Sequence, residues 1–234
     1  MKYTTILWDV DNTLLDFAYS MRESLQQCYQ KLSSGKTLSE EMIANYDRIN
    51  ISYWKRLEKG EVTKAQLLIG RFQDWFALEG ITDIDPVEFR AMYQIALGEI
   101  YAYMEPDALA ICRNLSKHVK QYVVTNGVAK TQRNKLILSG FMDVFDGIFI
   151  SEEIGANKPD AVFFEGCFAQ LEEKDLSRIL LIGDSLSSDI KGANNAGIAA
   201  CWYNPGEELC SEDVTIDYEI RSLQEVYKIL EIEG

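Results

Sequence analysis

From Pro106 onward the sequence alternates between two kinds of stretch, and that alternation limits the fold more than any other feature. Apolar, β-rich runs at 119–125, 147–150, 179–182 and 198–202 are separated by stretches with helical spacing, such as Leu109, Cys112 and Leu115, then 130–138 and 161–171. A last short strand is expected at 216–220 and a C-terminal helix from Ser222. Strands that alternate with helices at this spacing imply an α/β fold, a parallel sheet with helices on both faces.

One strand stands apart from that series. Ile6-Leu7-Trp8 runs into Asp9-Val10-Asp11-Asn12-Thr13, which places two carboxylates two residues apart just before a turn. On extended backbone, side chains at i and i+2 point the same way, so Asp9 and Asp11 can face one small volume. Two like charges that close do not both ionise freely; a cation, a proton retained on one of them, or both must separate their roles. Between this strand and the alternating half lies a helical block. Phe17, Met21, Leu25, Cys28 and Leu32 mark a helix over about 16–33, and three more follow over 38–104, with breaks near Gly60 and from Gly80 to Pro86. The expected organisation is a core of residues 1–15 and 105–234 and an inserted all-helical domain of residues 16–104.

Charge and cysteine usage narrow the function. A net charge of −14 argues against a nucleic-acid polymer as partner, because a polyanion would be repelled before any base was read. A small phosphate ester is not excluded, since its pocket needs only local positive charge. Five widely spaced cysteines without a CxxC pair point to buried, reduced thiols. With no signal-like N-terminus and no apolar window near the ~18 residues of a membrane helix, the expectation is a cytoplasmic protein without membrane association.

The loops that follow the strands carry the remaining polar signals. Thr125-Asn126 ends one strand and could cap the next helix; Lys158 precedes Pro159 and could be a turn residue; Asp184 ends another strand, with Asp189 five residues on. Taken together and in this order, just past successive strands, they mark one edge of the sheet. Alternative phosphatase chemistries do not fit. His118 is the sole histidine, no cysteine is followed six residues later by arginine, and no Gly-x-Ser-x-Gly elbow occurs.

These four elements resemble the motifs of the haloacid dehalogenase-like hydrolase superfamily: an Asp-x-Asp-x-Thr strand end, a Ser/Thr strand end, a lysine, and a Gly-Asp-x4-Asp loop. The resemblance spans nearly the whole chain and implies a Rossmann-like core with residues 16–104 as a helical cap. It further implies that Asp9 is the nucleophile, forming an aspartyl-phosphate, and that Asp11 protonates the leaving alcohol and later activates water. Mg²⁺ would be held by Asp9, the backbone carbonyl of Asp11 and Asp184. Thr125, Asn126 and Lys158 would hold phosphoryl oxygens, and Asp189 would orient Lys158 or metal-bound water.

Asp11 favours a phosphatase over a 2-haloacid dehalogenase, because halide departure needs no proton donor; phosphomutases share all four motifs. Within the superfamily, 50–63 with Gly70-Arg71-Phe72, Leu14-Leu15-Asp16-Phe17 and 200–205 resemble the pyrimidine 5′-nucleotidase branch. The resemblance implies a nucleoside 5′-monophosphate as substrate, with a sugar phosphate as the alternative. Phe17, Trp54 and Phe72 could stack on a base or form the helical domain's own core.

Overall fold

The computed structural model describes residues 1–233. Six strands, β1 (Thr5–Trp8), β2 (Lys120–Thr125), β3 (Gly147–Ile150), β4 (Ile179–Gly183), β5 (Ala199–Tyr203) and β6 (Tyr218–Ile220), form one sheet in the order β3-β2-β1-β4-β5-β6. Every pairing is parallel. The chain is α/β, as the alternation implied. Its helices are α1 (Phe17–Leu32), α2 (Glu40–Glu58), α3 (Lys64–Glu79), α4 (Pro86–Glu99), α5 (Ala108–Leu115), α6 (Ala129–Leu138), α7 (Ser151–Ile154), α8 (Ala161–Phe168), α9 (Lys191–Ala196) and α10 (Val226–Leu230). Two compact units result: Met1–Phe17 with Ala102–Gly234, and Ala18–Tyr101.

The central strands read as unbroken apolar runs because both faces of the sheet are covered. On one face, Leu7, Val124, Leu181 and Ala200 pack with Phe163, Phe164 and Cys167 of α8 and Ala193 of α9. Neighbours on the other face, Ile6, Trp8, Val123, Leu180 and Ile182, are equally buried. That second face also takes in a polar side chain among its apolar ones. Gln121, fully buried, accepts the Trp8 indole N–H at 2.9 Å and donates to the Cys112 carbonyl of α5 at 2.8 Å.

In the parallel register Trp8 lies opposite Val123 of β2 and Ile182 of β4. The loops after β1, β2 and β4 therefore leave the same edge of the sheet, with β1 between the two strands where the order reverses. Open α/β sheets bind ligands at this place. Asn12 takes a left-handed conformation (φ 63°) that lets the chain turn back, so that Leu14 and Leu15 bond the Val10 carbonyl at 2.9 Å. Asparagine tolerates that region better than most residues.

The helical unit is built on its own aromatic core. Tyr46, Phe72, Trp75, Phe76, Phe89 and Tyr93 meet at ring-centroid distances of 5.2–5.9 Å. The expected breaks are true helix ends. Thr63 forms a capping box with Gln66 at the start of α3, Gly80 closes α3 at φ 67°, and Asp85 caps α4 ahead of Pro86. Of the two readings open for Phe72, the helical unit's own core holds: it is fully buried between Tyr46, Phe89 and Tyr93. The short α7 has no counterpart in the sequence reading, since four residues are too few to show a period.

Gln121→Leu keeps the volume but strands the Trp8 indole N–H in the core. Leaving a buried donor unpaired costs about 1–3 kcal/mol. Urea unfolding of the variant should show a lower midpoint with an unchanged slope; an unaltered midpoint would mean that the contact contributes nothing to stability.

Candidate active site

Lys158 is the centre of the site. Its side chain is buried, and its three ammonium hydrogens find three acceptors: the Asp189 Oδ1 at 2.6 Å, the Asp9 Oδ1 at 2.7 Å and the Val124 carbonyl at 2.8 Å. The loop that delivers it is held at the residue before β2's exit turn. Asn126 donates its amide to the Lys158 carbonyl and accepts the Lys158 backbone N–H, both at 2.9 Å. Asp189 sits on a π-type turn, Leu186–Ile190, where its second oxygen accepts the Ser185 N–H at 3.1 Å. Gly183 makes room for it, since a Cβ there would lie 2.4 Å from the Asp189 carboxylate.

Asp9, Asp184 and Asp189 each offer a carboxylate oxygen within 4.8 Å of the others. Thr13 lies among them. Its hydroxyl accepts the Asp184 N–H at 3.1 Å and has one hydrogen to give, to Asp184 at 3.3 Å or to Asp9 at 3.5 Å. The Asp184 carbonyl is fixed by the Trp202 indole at 2.8 Å. Burial, only partly offset by the Lys158 charge and reinforced by Asp189, pushes the Asp9 carboxyl up to about 7. Burial and then the charges of Asp9 and Asp189 raise Asp184 well above the usual carboxylate range. Burial alone would lower Lys158, but the Asp189 and Asp9 carboxylates outweigh it and the net direction is upward.

This donor set fits a hard divalent cation. Of three clustered carboxylates the single ammonium bonds two, Asp9 and Asp189, and both Asp189 oxygens are already bonded, to Lys158 and to Ser185. With Asp9 Oδ1 on Lys158 as well, the oxygens left for a metal are Asp9 Oδ2 and those of Asp184, an all-oxygen set whose mutual repulsion a dication would relieve.

Asp11 is handled differently from Asp9. Its carboxylate is not part of that group; it turns to α6, where Lys135 donates to Oδ1 at 2.5 Å and Gln132 donates to Oδ2 at 2.6 Å. Thr125, at the end of β2, accepts the Gly127 N–H at 3.0 Å and keeps its own hydroxyl hydrogen to donate. All of the sequence-predicted residues, Asp9, Asp11, Thr125, Asn126, Lys158, Asp184 and Asp189, lie at one edge of the sheet. Three further residues join them: Thr13, the last position of the Asp-x-Asp-x-Thr strand end, and two that no motif contains, Gln132 and Lys135. Their signal was a Gln and a Lys three apart on one helix face, which is indistinguishable from a solvated helix until the helix is docked.

Comparison with known proteins identifies the family. The family model described as haloacid dehalogenase-like hydrolase matches residues 3–197. The HAD-hydrolase YfnB of Bacillus subtilis is 34% identical over 233 residues, covering 100% of this chain and 97% of YfnB. Its magnesium-bound crystal structure superposes with a TM-score of 0.92 over 99% of this chain and 100% of that chain. The pyrimidine 5′-nucleotidase YjjG of Escherichia coli is 31% identical across 98% of this chain and 99% of its own length. The pyrimidine 5′-nucleotidase PynA of Streptococcus pneumoniae is 32% identical across 99% and 96%. With its four motif elements gathered at one sheet edge and with relatives alike over their full length, the chain belongs to the haloacid dehalogenase-like hydrolase family.

Proposed function

We propose that this chain is a Mg²⁺-dependent phosphomonoesterase that works through an aspartyl-phosphate, with nucleoside 5′-monophosphates, pyrimidine ones preferred, as its substrates. The observation that carries the reading is the separation of the two motif aspartates. Asp9 lies in the buried carboxylate group with Lys158, while Asp11 is drawn to Lys135 and Gln132. In this reading one carboxylate attacks and the other handles a proton, a division that ester hydrolysis needs and halide displacement does not. The nucleotide preference rests on YjjG and PynA, both pyrimidine 5′-nucleotidases, and on the resemblance of the motif-flanking segments to that branch.

In this reading an Asp9 oxygen bonds to phosphorus as the bond from phosphorus to the alcohol oxygen breaks. The Asp11 carboxyl gives its proton to that departing oxygen. Water then loses a proton to Asp11 and attacks phosphorus, and the bond to Asp9 breaks, releasing orthophosphate and restoring the Asp9 carboxylate. Lys158 stays with the charge throughout. When Asp9 Oδ1 loses its anionic character on bonding to phosphorus, the ammonium hydrogen it held is available to a phosphoryl oxygen. The Thr125 hydroxyl is a second such donor, and the loop at Asn126 would supply another. Asp189 keeps Lys158 in place at 2.6 Å.

Mg²⁺, held by Asp9, Asp184 and the Asp11 carbonyl, would offset the repulsion between an anionic nucleophile and an anionic phosphate. The magnesium-bound structure of YfnB supports that choice of ion. The helical unit Ala18–Tyr101 is, in this reading, the family's cap.

Two outcomes test the assignment. Asp9→Asn should abolish Mg²⁺-dependent phosphate release from nucleoside monophosphates while leaving the circular dichroism spectrum unchanged; residual turnover near the wild-type rate removes Asp9 as nucleophile. A phosphate-ester panel should show pyrimidine nucleotides cleaved better than sugar phosphates, and the reverse order would overturn the substrate assignment alone.

The raised Asp9 carboxyl also predicts how stability depends on pH. Between its ordinary value of 3.8 and about 7 the folded state holds a proton that the unfolded chain has released. The stability associated with that proton is complete at low pH and is lost as pH rises through about 7. In EDTA the melting temperature should therefore fall between pH 5 and pH 8, and Asp9→Asn should flatten part of the fall. Added Mg²⁺ should raise the melting temperature more at pH 8 than at pH 6, since metal and proton compete for the same oxygens. A pH-independent melting curve in EDTA would contradict the burial argument.

A further inference from the structure

We propose that Lys135 and Gln132 of α6 are positioning residues for proton transfer, a two-pronged clamp that sets the orientation of the Asp11 carboxylate toward the leaving-group oxygen and then toward water. The inference rests on the phosphatase reading above and adds two residues to it that none of the four motifs contains.

The clamp engages both oxygens of one carboxylate with two donors from one helix face. Lys135 Nζ lies 2.5 Å from Oδ1 and Gln132 Nε2 lies 2.6 Å from Oδ2. Neither prong is a surface group that happens to reach inward. The Lys135 side chain is fully buried, while its Asp11 partner keeps 25% of its side-chain surface exposed. A lysine buried for its whole length loses its hydration and is retained only where a carboxylate replaces water. The ammonium also lies 5.5 Å from the centre of the Phe17 ring.

Gln132 is also buried, and its amide oxygen has no partner. Its placement therefore comes from the Asp11 contact and from shape. Gly127 supplies the shape: a Cβ there would lie 2.2 Å from Gln132 Nε2, so a residue with a side chain would expel the amide from its path to Asp11. A buried acceptor left unpaired is destabilising. A purely structural helix contact would not need to carry that cost, and a leucine would fill the space without it.

Both prongs are donors. They match Asp11 as an acceptor-only carboxylate, which is the form left once its proton has gone to the alcohol oxygen and the form that must next take a proton from water. A carboxylate held at both oxygens cannot rotate, so its free lone pairs keep one direction between the two half-reactions.

The test separates proton transfer from general damage. An ester of p-nitrophenol leaves as a stable phenolate and needs no proton, whereas a nucleoside leaves as an alkoxide that does. Since kcat/KM reports the steps through transfer of the phosphoryl group to Asp9, it isolates the leaving-group proton. Lys135→Met and Gln132→Met should each lower kcat/KM for a nucleoside 5′-monophosphate at least ~10-fold more than for p-nitrophenyl phosphate, a part of the roughly 10²–10⁴-fold that general acid–base catalysis contributes. Because both esters must still be hydrolysed from the same enzyme intermediate, kcat should fall for both.

Gln132→Met removes no charge and keeps the side-chain volume, so it carries the test if Lys135→Met does not fold. Equal losses of kcat/KM on the two esters, or no loss on either, overturn the clamp while leaving the phosphatase reading intact. A wild-type enzyme inactive on both esters overturns the phosphatase reading, and the clamp with it.

Discussion

The Lys158 ammonium is the interaction on which the rest of the site depends. It ties the β1 exit (Asp9), the β2 backbone (Val124) and the turn after β4 (Asp189) to one point, and it has no donor to spare. Removing one member of a buried charge pair typically costs about 3–5 kcal/mol, because the other is left uncompensated. Here the loss would leave two carboxylates facing each other beside a third. The three loops are far apart in sequence, so the ion contacts fix a geometry that local propensity cannot.

That geometry is available only because of the sheet's register. β1 is short, four residues, but it pairs on both sides, with Trp8 level with Val123 and with Ile182. A slip of one residue would exchange the faces of Leu7 and Trp8 and move Asp9 out of line with Lys158. Packing resists such a slip. The Trp8 indole is anchored to Gln121 on one face, and Leu7 is fixed among Val124, Leu181 and Phe163 on the other. Core packing and site geometry are here the same constraint seen from two ends of one strand.

Much of this was legible from the residues alone. The apolar runs at 119–125, 147–150, 179–182 and 198–202 are strands, and the breaks at Gly60 and at 80–86 separate helices, because buried parallel strands and capped helices leave strong local patterns. Other features have no local signature. The four-residue α7 and the 3-10 turn Leu223–Glu225 ahead of α10 are shorter than a readable period. The expected strand at 216–220 is only Tyr218–Ile220, since the Asp217 carboxylate reaches across to accept the Ala200 N–H at 2.9 Å instead of leaving its side chain in the strand. Within the site, motif residues were visible as motif residues. Gln132 and Lys135 were not, because what distinguishes them from ordinary polar helix positions is a partner 121 and 124 residues away.

The distribution of cations explains how so acidic a chain can host an anionic ligand. Its net charge of −14 would repel a phosphate if every charge acted at full strength. At physiological salt, however, exposed charges are screened over about 8 Å, whereas buried pairs are screened far less. Two of the largest fully buried side chains are lysines, Lys158 and Lys135, and each faces one of the two aspartates of the first loop. The surface carboxylates thus set a weak field at a distance, and the two buried ammoniums set the strong one at contact. The third large buried cation, Arg71, belongs to the helical unit and pairs with the neutral Asn50 at 2.7 Å and with the Phe72, Tyr93 and Tyr46 rings at 5.1–6.0 Å. Long-range charge therefore bears on which polymers are kept away, and the buried lysines bear on which small anions can stay.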